Sequence, residues 1–341
     1  MTSERDFLET IAGDGDDAIP CGVPTYLADQ AKIYARDPRQ AGVDWLFGAH
    51  LGLAVGFGLH SLLGKGEDAL LHGELTAEQY PMLTGKFGCA NFNAIDIVEL
   101  AIAAGARYVA IPVVAGDGFC LYNSACNDYN SVNSAANRDL FGELASTCEY
   151  HGIGLVAQFR LGRSLRRWPN GIAATAEAAM EYSCLVHEQL HELLTGYGPV
   201  AAVAFEGVAE ANGLQPHVDL ADLAKMAGML QPNTLVAFED NPCPDADFFS
   251  VATLEDTRAL PPGKPVEITL PMTPQSRSFI AGQAGKHLKA DDIWRQLRQT
   301  HAAQCGLLLN TALMPDGSLD LEDITTLLEV GRRLEKGGLP R

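Results

Sequence analysis

The 341-residue sequence has few basic residues for its size. It contains 24 Lys and Arg against 43 Asp and Glu, which gives a formal net charge of −19. This balance argues against a nucleic-acid partner and against an anionic membrane surface, because both require a basic face. The sequence also lacks an apolar run long enough to cross a bilayer. A neutral small molecule such as a carbohydrate remains compatible with the charge.

The eight cysteines form no C-x-x-C pair or other metal-type spacing. We therefore expect free thiols and no metal site. No G-x-G-x-x-G follows a predicted strand and no G-x-x-x-x-G-K is present, so no nucleotide cofactor is expected either. The opening residues MTSERDFLET are too charged for a signal peptide, which predicts a cytoplasmic protein. The oligomeric state is open, with a homo-oligomer among the alternatives.

Apolar runs bounded by turn residues alternate with helical patterns through most of the chain. The stretch YGPVAAVAFEGV, from Tyr197 to Val208, is typical of a buried parallel strand that ends on the carboxylate Glu206. The alternation and its length predict a parallel (β/α)8 TIM-like barrel, irregular around the Pro- and Asp-rich loop 241–263. We expect an N-terminal lead-in over residues 1–40 and a single barrel over 41–338.

Three ordered stretches resemble the catalytic domain of the α-L-fucosidases, glycoside hydrolase family 29. The segment AGDGFCLYNSACNDYNSVNSAANRDLFGELASTCEYHGIGL resembles the family's KHHDGF, Arg-Asp and HGI series. YGPVAAVAFEG is similar to its YGPI-strand-WFDG, and GLLLNTALMPDGSL is similar to its NLLLNIGPxxDG. The resemblance covers roughly residues 43–335, and we expect no counterpart of the family's C-terminal β-sandwich.

The resemblance implies a retaining glycoside hydrolase in which Glu206 stands at the position of the nucleophilic Asp. Glu255 is the best positional match for the acid/base, with Glu239 as a competitor. Most of the family's sugar contacts have changed. Gly56 replaces the strand-one His, the paired His become Ala115 and Gly116, and a Tyr becomes Gln158. The substrate is therefore not tied to fucose.

Several further residues are candidates for substrate binding. Asp117 survives from the KHHDGF motif, although it also fits a turn cap. Glu67 matches a long first-loop position, and His60 lies close to the end of the first strand. Trp168 is a candidate to stack on a sugar, and Arg160 begins a small basic cluster suited to an acidic sugar. Carboxylates that we expect near strand ends at the same mouth are Asp240 and Glu267.

A mouth ringed by Glu206, Glu239, Asp240 and Glu267 would raise the pKa of a general acid through mutual repulsion. The same ring offers oxygen ligands to a divalent cation, but no pattern here is specific for a metal. Two other functions stay open. One is a catalytically silent relative that binds a sugar or a protein, and the other is a barrel recruited to lyase or isomerase chemistry through Gln158, Glu206 and Glu239.

Overall fold

Eight parallel strands form the centre of the protein. The computed structural model describes residues 22–67, 75–76, 78–162, 164, 167, 175–208, 218–239, 241, 243–274 and 276–340. The strands are β1 Leu51–Gly56, β2 Tyr108–Val114, β3 Gly154–Arg160, β4 Ala202–Glu206, β5 Leu235–Phe238, β6 Phe249–Val251, β7 Val266–Pro271 and β8 Gly306–Ala312. They follow the order β5-β4-β3-β2-β1-β8-β7-β6, and a parallel bridge from Ala237 to Phe248 joins the two ends. The predicted TIM-like barrel is confirmed.

Helices cover the outside of the barrel and alternate with most strands. Their bounds are α1 Ala31–Tyr34, α2 Pro38–Gly48, α3 Ala94–Ala103, α4 Leu140–His151, α5 Ala176–Gly196, α6 Leu220–Leu230, α7 Ala290–Ala302 and α8 Leu321–Gly337. Short 3-10 segments lie at Thr25–Gln30, Leu59–Leu63, Tyr80–Lys86 and Asp256–Ala259. Among the described residues, none of the helices has the length and apolar character that a membrane span requires.

Local signals explain where individual helices begin and end. In α4, the Asp139 side chain accepts a hydrogen bond from the Gly142 amide at 2.8 Å and caps the first turn. The same helix stops at Gly152, which adopts the left-handed conformation that glycine tolerates best. A Pro at the first position and an Asp37 cap begin α2 in the same way. The predicted domain boundary at residue 40 falls within α2.

Small side chains fill the lower barrel, and aromatic rings close its floor. Ala54, Ala110 and Ala202 face the interior, where they are almost fully buried. The floor is an edge-to-face stack in which the Trp45 ring lies 4.8 Å from the Tyr26 ring and 6.1 Å from the Tyr108 ring, centroid to centroid. Residues from α2 and the preceding segment therefore plug the amino ends of the strands.

The region 241–263 departs from the prediction of a continuous loop. It contains the three-residue strand β6, whose residues are all buried, and the 3-10 turn Asp256–Ala259. The register of β6 is fixed by parallel pairing of Phe249 with Val266 and of Val251 with Ile268. In the described residues between β5 and β7 there is no α-helix, so the barrel is irregular where the sequence predicted irregularity.

Candidate active site

The carboxyl ends of β3, β4 and β5 bring three charged side chains together. Parallel pairing sets Arg160 beside Glu206, and the Glu239 amide donates to the Phe205 carbonyl at 2.9 Å. Alternation along a strand turns successive side chains to opposite faces. Phe159 and Phe205, each one residue earlier, pack toward the helices with ring centroids 5.7 Å apart. The charged residues that follow therefore face the barrel interior.

Arg277 completes this group from the connection between β7 and α7. Its Nη1 lies 3.5 Å from the Glu206 Oε1 and forms a close ion pair with the Glu239 Oε1. The side chains of Glu206 and Glu239 are only 15% and 14% exposed, and that of Arg277 is 26% exposed. A single guanidinium nitrogen thus lies between two largely buried carboxylates.

The electrostatics of Glu206 differ from those of an ordinary surface carboxylate. Burial raises its pKa, and repulsion by Glu239 raises it further. The positive charges of Arg277 and Arg160 act in the opposite direction, and Glu67 adds a smaller repulsion. The net result is a pKa of about 8, so Glu206 holds a proton at neutral pH. A carboxylic acid of this kind is suited to donating a proton to a leaving group.

Asp117 lies behind the mouth, in the turn after β2. Its side chain is buried, and Oδ1 accepts a hydrogen bond from the Phe119 amide at 2.9 Å. Burial raises the pKa of this carboxyl to about 6, against the opposing effects of that amide and of the neighbouring Tyr80 hydroxyl. The backbone bond is the turn cap that the sequence offered as the structural alternative to a role in binding.

Two other predicted contacts are buried in the same half of the barrel. Gln158 lies two residues before Arg160 on β3, so it shares the interior face one layer deeper. His60 lies in the 3-10 turn that follows β1 and is 5% exposed. Glu67, by contrast, is exposed on the rim in the connection after β1. Trp168 and Asp240 fall outside the described residues.

The structure places two predicted carboxylates away from the Glu206 cluster. Glu267 is the second residue of β7, so it lies at the amino end of its strand and not at the mouth. Its carboxylate accepts hydrogen bonds from the hydroxyls of Tyr108 and Ser250. Glu255 has an 83% exposed side chain that makes an ion pair with Arg258 at 3.7 Å. Glu255 therefore lies in solvent and not in the buried group around Glu206.

Sequence reasoning did not identify Arg277. The available signal was its position shortly after a barrel strand, in a connection that opens on the carboxyl side where barrel sites are built. The basic residues that the sequence analysis proposed for substrate binding lie instead in the cluster after β3. Of that cluster, Arg160 lies beside Glu206, Arg167 is exposed, and Arg163 and Arg166 lie outside the described residues.

The protein is a parallel (β/α)8 barrel with a largely buried carboxylate pair at the carboxyl ends of its strands. A family model described as alpha-L-fucosidase matches residues 49–338. The chain belongs to the alpha-L-fucosidase family, as the sequence motifs predicted.

Similarity to individual relatives is partial. The chain is 34% identical over 131 residues to alpha-L-fucosidase 1 of Arabidopsis thaliana, covering 37% of this chain and 24% of the relative. It is 27% identical over 128 residues to an alpha-L-fucosidase of Dictyostelium discoideum, covering 35% of this chain and 27% of the relative. The matches thus span about a quarter of the length of these relatives.

Solved structures share the fold. Alpha-L-fucosidase isoenzyme 1 from Paenibacillus thiaminolyticus superposes with a TM-score of 0.74 at 23% identity, covering 88% of this chain and 77% of that one. The alpha-L-fucosidase AlfC from Lactobacillus casei, in complex with its alpha-L-fucose product, gives a TM-score of 0.71 at 21% identity. That match covers 86% of this chain and 98% of the other.

Proposed function

We propose that this protein is a glycoside hydrolase that acts on a carbohydrate by retaining double displacement, with Glu206 and Glu239 as its two carboxyl groups. The observation that carries the proposal is their contact with one nitrogen of Arg277. This contact brings oxygens of the two groups to within about 6 Å, which accommodates the ~5–5.5 Å separation of retaining glycosidases. Family membership supports the same reaction class.

We propose the opposite division of the two roles from the one that the sequence predicts for Glu206. Glu206, with its pKa of about 8, is the group that carries a proton to the glycosidic oxygen. Glu239, whose charge Arg277 balances directly, attacks the anomeric carbon. The carboxylate of Glu206 then removes a proton from the water that hydrolyses the glycosyl ester. In this assignment Glu206 is the acid/base and not the nucleophile.

Hydrolysis of a panel of aryl glycosides, α-L-fucoside included, tests the proposal. We expect Glu206→Gln and Glu239→Gln each to lower kcat by about 10²-fold or more. The control is Glu255→Gln, which changes an exposed carboxylate and should retain activity. Loss of activity in the control, with both other variants active, would instead identify Glu255 as the acid/base.

Chemical rescue with azide distinguishes the two role assignments. Without the nucleophile, azide attacks the substrate directly and gives a glycosyl azide of inverted configuration. Without the acid/base, azide attacks the covalent intermediate and gives the retained configuration. We expect a retained product from Glu206→Ala and an inverted product from Glu239→Ala. The reverse pattern would return Glu206 to the role of nucleophile.

A catalytically silent, sugar-binding relative is the second candidate, and one observation favours it. The Arg277 guanidinium lies between the carboxylates, in the space where a retaining enzyme holds the anomeric carbon. Absence of turnover across the panel, together with heat of binding for one of its sugars in calorimetry, would support this candidate.

A further inference from the structure

The connection between β7 and α7 crosses directly over the end of β1. A Cβ added to Gly56, the last residue of β1, would lie 1.8 Å from the carbonyl oxygen of Arg277. No side chain can occupy that position while the connection keeps its path. Because Gly56 has no Cβ, the backbone of residue 277 can approach it closely at the barrel mouth.

The same connection is attached to the segment that follows β1. The Gly66 amide donates to the Phe279 carbonyl at 3.1 Å, and the Ala281 amide donates to the Gly64 carbonyl at 2.8 Å. Within the connection, the Ser276 hydroxyl donates to the Ser278 carbonyl at 2.7 Å. The first two bonds are made by residues that follow Arg277, and the third spans it, so its backbone is held where its side chain reaches the carboxylates.

The charges around Glu206 come from four different elements. Glu239 follows β5, Arg160 ends β3, Glu67 lies after β1, and Arg277 lies after β7. Arg277 makes its close ion pair with Glu239 and only a 3.5 Å contact with Glu206. The Arg277 charge lowers the pKa of Glu206, against burial and the repulsion by Glu239, which raise it.

We propose that Arg277 is a positioning residue that joins the Glu206 and Glu239 carboxyl groups at the mouth, and that Gly56 is required for this placement. The inference rests on the proposed function for its catalytic meaning, but the contact of Arg277 with the two carboxyl groups does not depend on turnover. Arg277 acts through the two carboxylates and not on the sugar itself.

Titration of the glutamate side chains by NMR, with carbon-13 at Cδ, tests the proposal without any substrate. The Cδ resonance that disappears from the titrating set in Glu206→Gln is that of Glu206. We expect a midpoint of about 8 for Glu206 in the wild type. In Arg277→Gln we expect that midpoint to rise by about one pH unit or more, because an attractive charge is lost. Arg277→Lys keeps the charge, so its Glu206 midpoint should lie between those of the wild type and of Arg277→Gln.

A matched control separates this effect from a general change in charge. Arg298 is exposed on α7, so Arg298→Gln removes an equal charge from outside the site and should leave the Glu206 midpoint in place. An unchanged or lowered midpoint in Arg277→Gln would overturn the proposal. A melting temperature for each variant confirms that the folded protein is titrated.

Gly56→Ala tests the backbone part of the inference while all charges are retained. The added methyl should displace Arg277 and raise the Glu206 midpoint in the same direction as Arg277→Gln. The control is Gly196→Ala, where an added Cβ meets no atom within 4 Å. A folded Gly56→Ala protein with the wild-type midpoint would refute the requirement for Gly56. If Gly56→Ala does not fold, the side-chain variants still decide the role of Arg277.

Failure of the proposed function and failure of this inference give different results. A protein that hydrolyses no glycoside but shows the expected shifts retains Arg277 as the residue that joins the two carboxyl groups. If the enzyme is active but the Glu206 midpoint is unchanged in Arg277→Gln, the proposed hydrolase function stands and the inference about Arg277 is wrong. If the proposed function and the inference are both correct, the alkaline limb of the kcat/KM profile should move to higher pH in Arg277→Lys, together with the NMR midpoint.

Discussion

The floor and the mouth of the barrel both contain buried glutamates, but these are stabilised in different ways. At the floor, neutral hydroxyls from Tyr108 and Ser250 bond both oxygens of Glu267. At the mouth, Glu206 and Glu239 depend on the charge of Arg277. Hydroxyl donors hold a carboxyl group in a fixed place, whereas a shared charge couples the protonation of two groups. Under the proposed function, the floor therefore contributes stability and the mouth contributes proton chemistry.

The largest effect on stability should come from breaking the aromatic floor. Trp45→Ala removes the central ring of the stack with Tyr26 and Tyr108 and leaves a cavity, so we expect a loss of about 3–5 kcal/mol in the free energy of unfolding. Urea denaturation measures it. The control is Phe47→Ala on the same helix, where the side chain is 47% exposed. The Glu206 titration should not change in either folded variant.

A change in Trp45 that shifted the Glu206 midpoint would contradict the division of roles between the two ends. It would mean that the floor controls the electrostatics of the mouth through the barrel interior. An equal loss of stability in the two variants would show that the stack contributes no more than an exposed ring does.

A smaller loss should follow from removing one hydroxyl at the floor. Tyr108→Phe keeps the ring but leaves a Glu267 oxygen without its donor, which we expect to cost about 1–3 kcal/mol. Burial already raises the pKa of Glu267, and the Tyr108 bond lowers it, so the variant raises it further. The loss should therefore grow as pH rises. Tyr150→Phe, at an 86% exposed ring, is the control for unfolding experiments across pH.

Most of the fold could be predicted because its signals are local. The Asp139 cap and the Gly152 stop define α4 from a dozen residues, and β1 coincides with the apolar run LGLAVG, Leu51–Gly56. The strand β6 was missed because its three residues lie among prolines and aspartates. Pairing with β7 and burial between neighbours make it a strand, and neither is visible in the local pattern.

The site was only partly predictable for the same reason. Glu206 and Glu239 follow apolar strands, so their place at the mouth could be expected from strand direction alone. The same rule, applied to KPVEITL, puts Glu267 at the amino end of β7, where it was found. Arg277 is 71 positions from Glu206 in the sequence. Its partners are decided by how the β7 connection crosses β1, and only the folded chain contains that information.

The last of these stability effects concerns Glu206 and depends on pH. Its pKa is about 8 in the folded protein, against an ordinary value near ~4.3 in an unfolded chain. Between these values the folded state holds a proton that the unfolded state has released. The free energy of unfolding therefore falls as pH rises through this window, and the whole penalty is present above pH 8. Glu206→Gln removes the titrating group and with it the penalty.

We therefore expect Glu206→Gln to gain stability relative to the wild type as pH increases, by about 4 kcal/mol between pH 5 and pH 9. Urea denaturation at both pH values measures the difference, with Glu255→Gln as the exposed control that should show no such trend. A constant difference across pH would mean that Glu206 is ionised throughout, as a nucleophile requires. In that case the proton belongs elsewhere, and Glu206 returns to the role that its position in the family motif predicts.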